Sequence, residues 1–139
     1  MSTEHNKQIA REFFERLDRR DIDGAVAMLS EDATYWIAGR RETIPSAGTQ
    51  TKPQIARIFR LMDEQIEGGL RLRVTGAIAE GDQVALQMES HGRLRNGRVY
   101  ENSYHIHVTV RDERIAAIRE YLDTQHVFDV WFRREGAAH

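Results

Sequence analysis

The segment "NGRVYENSYHIHVTVRDERIAAIREYLD" (residues 96–123) decides the fold of this chain. Apolar and polar residues alternate through its first half, which predicts a strand over 98–110 with one buried face. The same alternation predicts a second strand over 115–123. Asn-Gly before the first strand and the "RDER" stretch between the two are turn signals. The segment therefore predicts antiparallel strands joined by tight turns.

The rest of the chain supplies elements that can pack against this hairpin. Helical or alternating spacing of apolar residues predicts helices over 4–19, 22–29 and 51–67, strands over 33–38, 70–79 and 83–94, and a loop over 39–50. Asp21 is a suitable N-cap for the second helix, and Pro53 fits the first turn of the third helix, where a missing N–H costs little. A last apolar cluster, residues 127–132, predicts a terminal helical turn. Helices followed by an antiparallel meander predict an α+β domain whose sheet curls around three helices.

Composition narrows the classes of function. The chain has 139 residues, 30% of them charged and 40% hydrophobic, which fits one globular domain spanning 1–139. A net charge of −2 with interspersed acids and bases argues against nucleic-acid and anionic-membrane partners. The absence of cysteine excludes disulfides and thiolate chemistry and is compatible with a cytoplasmic location. We find no signal peptide or membrane span, and we expect residues 134–139 to form a flexible tail.

The Asn96-Gly97 turn sets the register of the strands before and after it. A two-residue turn there pairs residue 91 with 102 and residue 89 with 104. Directly opposed residues share a face, so Glu89 and His91 are predicted to point inward with Asn102 and Tyr104. Composition alone predicts that these side chains face the opposite way. That orientation would need a shift of one residue in the register, and nothing in the sequence indicates the β-bulge that such a shift requires.

This register also has a consequence for assembly. It turns Val84, Leu86 and Met88 to the outer face of the sheet, where an apolar stripe needs a cover. A second copy of the chain is the simplest cover, so the sequence predicts a homodimer through the outer sheet face.

The orientation of Glu120 depends on the turn at 111–114. A two-residue turn at Asp112-Glu113 pairs 111 with 114 and turns Glu120 outward, whereas a three-residue loop pairs 106 with 120 and turns it inward. The apolar residues favour the second arrangement, because Ile118 and Leu122 then face the core with Glu120. A carboxyl in that position is expected to have a raised pKa and to transfer protons near neutral pH.

The order of elements resembles that of the NTF2-like superfamily, in its SnoaL-like, ketosteroid isomerase-like and limonene epoxide hydrolase-like branches. The resemblance rests on "FFERLDRRDIDGAVAMLSEDATYWI" (13–37), "GRVYENSYHIHVTVRDERI" (97–115) and "REYLDT" (119–124). It implies a cone-shaped, curved sheet (a cystatin-like α+β barrel) around a deep apolar pocket, and dimers through the sheet. Fold alone does not choose among the isomerases, cyclases, dehydratases and epoxide hydrolases of this superfamily.

Matching the family's motifs by position narrows the chemistry. The Tyr and Asp of ketosteroid isomerases fall at Phe13 and Ile37, which argues against steroid isomerisation by that route. The two acids of the epoxide hydrolase-like branch fall at Glu89 and Glu120 and its Tyr at Tyr35. Its Arg and Asn fall at Gln87 and Ile37, so epoxide hydrolysis by the family mechanism is also disfavoured. A SnoaL-like cyclase needs only an acid/base carboxylate and a large apolar pocket.

The sequence thus predicts a pocket for a small, largely apolar, polyketide- or terpene-like molecule, with Glu120 and Glu89 as acid/base residues and no cofactor. The predicted substrate-binding residues are Tyr35, Ile37, Phe59, Met62, Gln87, His91, Asn102, Tyr104, Ile106, Leu122, Phe128 and Trp131. No metal site is predicted, because His105 and His107 share a strand face without a third ligand. The alternative is a binding or interaction module with the same pocket and no catalysis.

Overall fold

A computed structural model of the chain describes residues 2–134. The predicted tail, residues 134–139, lies outside the described part except for Arg134. No helix within residues 2–134 has both the length and the apolar character that a membrane crossing requires.

Three helices form in the first half of the chain, as the sequence predicts. They are α1 (Thr3–Asp18), α2 (Ile22–Ala27) and α3 (Lys52–Gln65). Side chains satisfy the free N–H groups at their starts: Asp21 accepts from the backbone N–H of Gly24, and Thr51 forms a capping box with Gln54. A short helix α4 (Thr124–Val127) continues into a π-helical turn (Phe128–Phe132). These last elements confirm the predicted terminal turn.

Six strands form one sheet in the order β2-β1-β6-β5-β4-β3. They are β1 (Leu29–Ile37), β2 (Gly48–Thr51), β3 (Arg71–Glu80), β4 (Gln83–Arg93), β5 (Val99–Arg111) and β6 (Arg114–Leu122). The α+β class is confirmed, with a curved sheet that stays open. The sheet is mixed rather than antiparallel, because β1 pairs in parallel with β6. β2 lies in the segment predicted as a loop and pairs with the end of β1.

The hairpin between β4 and β5 differs from the prediction by one residue. Leu94 pairs with Arg98 around a three-residue loop, in which the N–H of Gly97 donates to the carbonyl of Leu94. Gly97 adopts a φ of +92°, so the Asn-Gly signal supplies its positive φ to a bulged loop and not to a two-residue turn. Met88 therefore opposes Tyr104, and Ser90 opposes Asn102.

This register reverses the two faces predicted for β4. Val84, Leu86 and Met88 lie in the core with exposures of 0%, 0% and 3%. The predicted outward stripe is wrong and gives no reason for a second subunit. The homodimer stays a prediction that nothing in the single chain tests.

The hairpin between β5 and β6 has the predicted pairing of residue 106 with residue 120, but its turn differs from the predicted one. Arg111 pairs with Arg114 around a two-residue turn, with positive φ at Asp112 and Glu113. A register shift between Thr109 and Val110 then changes the pairing by one residue. Beyond that shift Ile106 opposes Glu120, so Glu120 does turn inward.

Candidate functional site

An apolar cavity of about 520 Å³ lies between the concave face of the sheet and the helices. Side chains from the helices, from all six strands and from the terminal π-helical turn form its walls. Seven predicted binding residues line it: Tyr35, Ile37, Phe59, Met62, Tyr104, Leu122 and Trp131. A cavity of this size and character suits a small organic molecule.

Glu120 brings a carboxyl group to this apolar wall. It lies on β6 beside Ile37 of β1 and Ile106 of β5. Burial raises the pKa of Glu120 from 4.5 to about 7, because few groups replace the water that would solvate its charge. A hydrogen bond from Tyr35 opposes this shift by favouring the ionised form. A carboxyl with this pKa is present in both protonation states at neutral pH.

Tyr35 holds the carboxyl in place. Its hydroxyl donates to Oε1 of Glu120 over 2.5 Å, a short distance typical of a hydrogen bond to an ionised acceptor. Parallel pairing of β1 with β6 creates this contact, since Tyr35 opposes Ile118 and Ile37 opposes Glu120. Burial, followed by the charge of Glu120, raises the pKa of Tyr35 well above 10, so the phenol stays protonated.

A second polar group lies on the inner face of β4 and β5. The hydroxyls of Tyr100 and Tyr104 are 2.8 Å apart, and Tyr104 also donates to Ser90 over 3.0 Å. Asn102 is hydrogen-bonded to this pair: its side-chain amide donates to the hydroxyl of Tyr100 and to the backbone carbonyl of Asp123. Asn102 thus faces inward as predicted, but it joins the end of β6 to β5 and is not a lining residue of the cavity.

Three predicted site residues point away from the cavity. Glu89 is half exposed on the outer face and forms an ion pair with Arg73 at 2.6 Å. His91 contacts Glu101 across the strands at 2.9 Å, and Gln87 is exposed. The bulged hairpin at Gly97 is the physical reason, because it moves every β4 side chain to the opposite face. The prediction of Glu89 as an inward partner of Glu120 is therefore wrong.

Leu86 and Met88 take the inward places that these residues were expected to fill. Leu86 opposes Ile106, which in turn opposes Glu120, so the carboxyl has apolar neighbours across the sheet. Two further predicted contacts also lie outside the lining: Ile106 is fully buried in the core, and Phe128 packs against it.

Some lining residues were not predicted from the sequence. Tyr100 shares the inner face of β5 with Tyr104, and this alternation was sufficient to find it. Gln50 comes from the unpredicted strand β2, where its amide donates to the carbonyl of Ser46. No residue of the segment predicted as a loop, 39–50, was among the predicted binding residues.

The described residues, 2–134, contain no group of three His, Asp or Glu side chains arranged to hold a metal ion. His105 and His107 lie on the outer face of β5, away from the cavity.

Comparisons with known proteins agree with this fold. An NTF2-like protein from Burkholderia xenovorans is 28% identical, with a TM-score of 0.74 over 94% of this chain and 98% of that chain. An NTF2-like protein of unknown function from Burkholderia pseudomallei is 21% identical, with a TM-score of 0.80 over 96% and 100%. The BvnE pinacolase from Penicillium brevicompactum is 19% identical, with a TM-score of 0.75 over 91% of each chain.

The last two similarities show the fold alone. No curated protein matches the sequence. A family model described as the SnoaL-like domain matches residues 10–118, which is most of the chain. The chain therefore belongs to the SnoaL-like family of the NTF2-like superfamily.

Proposed function

We propose that this protein binds a small, largely apolar molecule in the cavity and that Glu120 transfers protons on it without a cofactor. The observation that supports this most directly is the 2.5 Å hydrogen bond between Tyr35 and Glu120 inside an apolar wall. Groups with perturbed pKa values in a cavity are typical of sites where protons are transferred. Glu120, with a pKa of about 7, can both accept and return a proton near neutral pH.

A single carboxyl limits the kind of reaction. Of the cavity-lining residues within 2–134, the other carboxylate is Asp63, which is bonded to Arg20 at 2.8 Å and 3.1 Å. Glu120 therefore has to return the proton that it removes. Isomerisation and intramolecular cyclisation meet this condition, because the proton taken from carbon is given back to the same molecule. Hydrolysis that needs two cooperating carboxylates does not fit.

The geometry suggests a separate role for each residue in the proton transfer. The ionised carboxyl of Glu120 removes a proton from a carbon next to a carbonyl group, and the resulting acid later donates it. Tyr35 keeps Oε1 of the carboxyl fixed, so that no reorientation is needed during the reaction. The apolar walls exclude water, which would otherwise solvate the carboxylate and weaken it as a base.

A second candidate is binding without catalysis. Leu86 and Met88 favour it, since they give Glu120 no acid/base partner on β4. Similarity to a protein named as a pinacolase is compatible with an enzyme but does not choose between the two candidates.

Proton transfer can be tested without knowing the natural substrate. The probe is 2-tetralone, an apolar ketone with exchangeable protons next to its carbonyl, incubated with the protein in D₂O. We expect deuterium incorporation, followed by mass spectrometry, above the rate in buffer alone. Glu120→Gln should lower the protein-dependent rate by about 100-fold or more, since general bases contribute 10²–10⁴.

Glu89→Gln is the matched control, because the same change on the outer face should leave the rate unaltered. Binding of 2-tetralone without exchange would favour the non-catalytic candidate. Equal loss in both variants would contradict a specific role for Glu120.

A further inference from the structure

Gln50 brings a side-chain amide to the cavity wall from the edge strand β2. It opposes Tyr35 in the pairing of β1 with β2, so the two side chains share the inner face of the sheet. Its neighbours Thr49 and Thr51 lie on the other face and are exposed. Gln50 itself is 8% exposed and lines the cavity together with Ser46. The amide therefore has little contact with bulk water.

The hydrogen bonds of this amide are incomplete. Nε2 of Gln50 donates to the backbone carbonyl of Ser46 over 2.9 Å. That bond also distinguishes the two ends of the amide, because a carbonyl partner can only accept. A glutamine amide has two N–H donors and a carbonyl oxygen that accepts. Within residues 2–134, the second N–H and the carbonyl oxygen Oε1 of Gln50 have no partner.

The free carbonyl oxygen is an acceptor that a ligand can satisfy. Oε1 of Gln50 is not fully enclosed by the described residues, and the side chain lies on the inner face of β2. A polar atom that loses its water without gaining another partner costs free energy. A ligand that fills the cavity and places a hydroxyl at Oε1 therefore binds more tightly than one whose surface is wholly apolar.

We propose that Gln50 is the hydroxyl-binding residue of the cavity. Its Oε1 accepts a hydrogen bond from the hydroxyl of an otherwise apolar ligand, such as a phenol or an alcohol. This assignment deepens the proposed function and rests on it, because the ligand has to enter the same cavity. It narrows the class of ligand from small apolar molecules to hydroxylated ones.

The hydroxyl-binding residue lies apart from the carboxyl of Glu120. Strand β1 separates β2 from β6, and Glu120 opposes Ile37, two residues beyond Tyr35. Strand spacings of about 4.8 Å and a rise of about 3.3 Å per residue place the backbones at Gln50 and Glu120 about 12 Å apart. A ligand of two or three fused rings can contact both side chains across the concave face. Gln50 then holds one end of the ligand while Glu120 transfers protons at the other.

Glu120 is the main competing acceptor for a ligand hydroxyl. Oε1 of its carboxyl accepts from Tyr35, whereas Oε2 has no protein donor within residues 2–134. The other carboxylate of the lining, Asp63, is bonded to Arg20 at 2.8 Å and 3.1 Å. The test therefore has to separate Gln50 from Glu120. Methionine suits both positions, because it keeps the length of the side chain and removes its oxygen atoms.

The probes are naphthalene, 2-naphthol and 2-methoxynaphthalene, which share one ring system and differ in a single substituent. None is a ketone, so their binding does not depend on proton transfer. Affinities are measured by calorimetry at pH 7 for the wild type, Gln50→Met, Glu120→Met and Gln87→Met. Gln87 is exposed on the outer face of β4 and serves as the matched control. Gln50→Leu is measured in parallel as a second way of removing the amide.

We expect the wild type to bind 2-naphthol about 3- to 10-fold more tightly than naphthalene, the gain from one neutral hydrogen bond. The methyl ether has no hydroxyl proton and should not share this gain. Gln50→Met and Gln50→Leu should lose the preference and keep their affinity for naphthalene, which also shows that they fold. Glu120→Met and Gln87→Met should retain the preference.

Equal affinity of the wild type for 2-naphthol and naphthalene would overturn the role of Gln50 while leaving the proposed function standing. A preference that survives in both Gln50 variants, or that disappears in Glu120→Met, would assign the hydroxyl to another acceptor and also overturn it. A gain shared by the methyl ether would show that the bound oxygen accepts, which contradicts the proposal. Failure of the wild type to bind any of the three probes would overturn the apolar binding function and the role of Gln50 together.

Discussion

The difference in unfolding free energy between Glu120→Gln and the wild type should grow with pH. Burial raises the pKa of Glu120 from 4.5 to about 7 in the folded protein. Between these values the folded state keeps a proton that the unfolded state releases, so the wild type loses stability as pH rises. The loss starts near pH 4.5 and levels off above pH 7. The Gln side chain cannot ionise, so the Glu120→Gln variant does not lose stability in this way.

The gap between 4.5 and about 7 corresponds to about 3 kcal/mol, at 1.36 kcal/mol for each pH unit. Urea unfolding at pH 4, 5, 6, 7 and 8, followed by tryptophan fluorescence, measures the difference between the two proteins at each pH. Taking this difference removes the titration of all other groups that the variants share. A difference that stays constant from pH 4 to 8 would refute the claim that the carboxyl is desolvated.

Other substitutions test neighbouring parts of the account. Tyr35→Phe removes a hydrogen bond that lowers the pKa of Glu120, so the pH profile of deuterium exchange should move to higher pH. Gly97→Ala places a side chain at a φ of +92° and should cost about 1–2 kcal/mol in urea unfolding. Leu86→Ala should cost about 2–5 kcal/mol, because Leu86 is fully buried; a loss under 1 kcal/mol would contradict the inward register. Glu89→Gln should change stability by no more than about 0.5 kcal/mol.

The sequence predicted β5 well, because its alternation extends over a long strand. Tyr100, Asn102, Tyr104 and Ile106 all face inward, as the pattern indicates. A slip of one residue would expose this whole set, so burial itself fixes the orientation. Alternation of this length is the most dependable signal in the chain.

The register of β4 was predicted wrongly, because an Asn-Gly pair suits two kinds of hairpin. Both a two-residue turn and a bulged three-residue loop place glycine at positive φ. The apolar residues decide between them: burying Val84, Leu86 and Met88 gains about 1.5–3 kcal/mol for each side chain. Composition was the stronger evidence at this strand, and turn geometry the weaker.

The inward orientation of Glu120 was predicted correctly from its apolar neighbours and not from the turn. The two-residue turn that should have faced it outward is present, and the register shift near Thr109 restores the inward face. Ile118 and Leu122 require this shift, because the alternative exposes both. Apolar alternation again outweighed local turn preference.

The parallel contact between β1 and β6 was beyond the reach of sequence patterns. It joins residues more than 80 positions apart, and it places the hydroxyl of Tyr35 on Glu120. Local spacing carries no information about such pairing. The short strand β2 was missed for a similar reason, since "GTQT" has no apolar alternation.

The pKa of the Glu120 carboxyl, measured by ¹³C NMR titration, tests the central claim most directly. Glutamate side-chain carboxyl carbons are observed from pH 3 to 9, and the resonance missing in Glu120→Gln identifies Glu120. We expect a midpoint near 7, because burial in an apolar cavity disfavours the charged carboxylate and the hydrogen bond from Tyr35 offsets this effect only in part. A midpoint near the ordinary value of 4.5 would show a solvated carboxyl and contradict the proposed proton transfer.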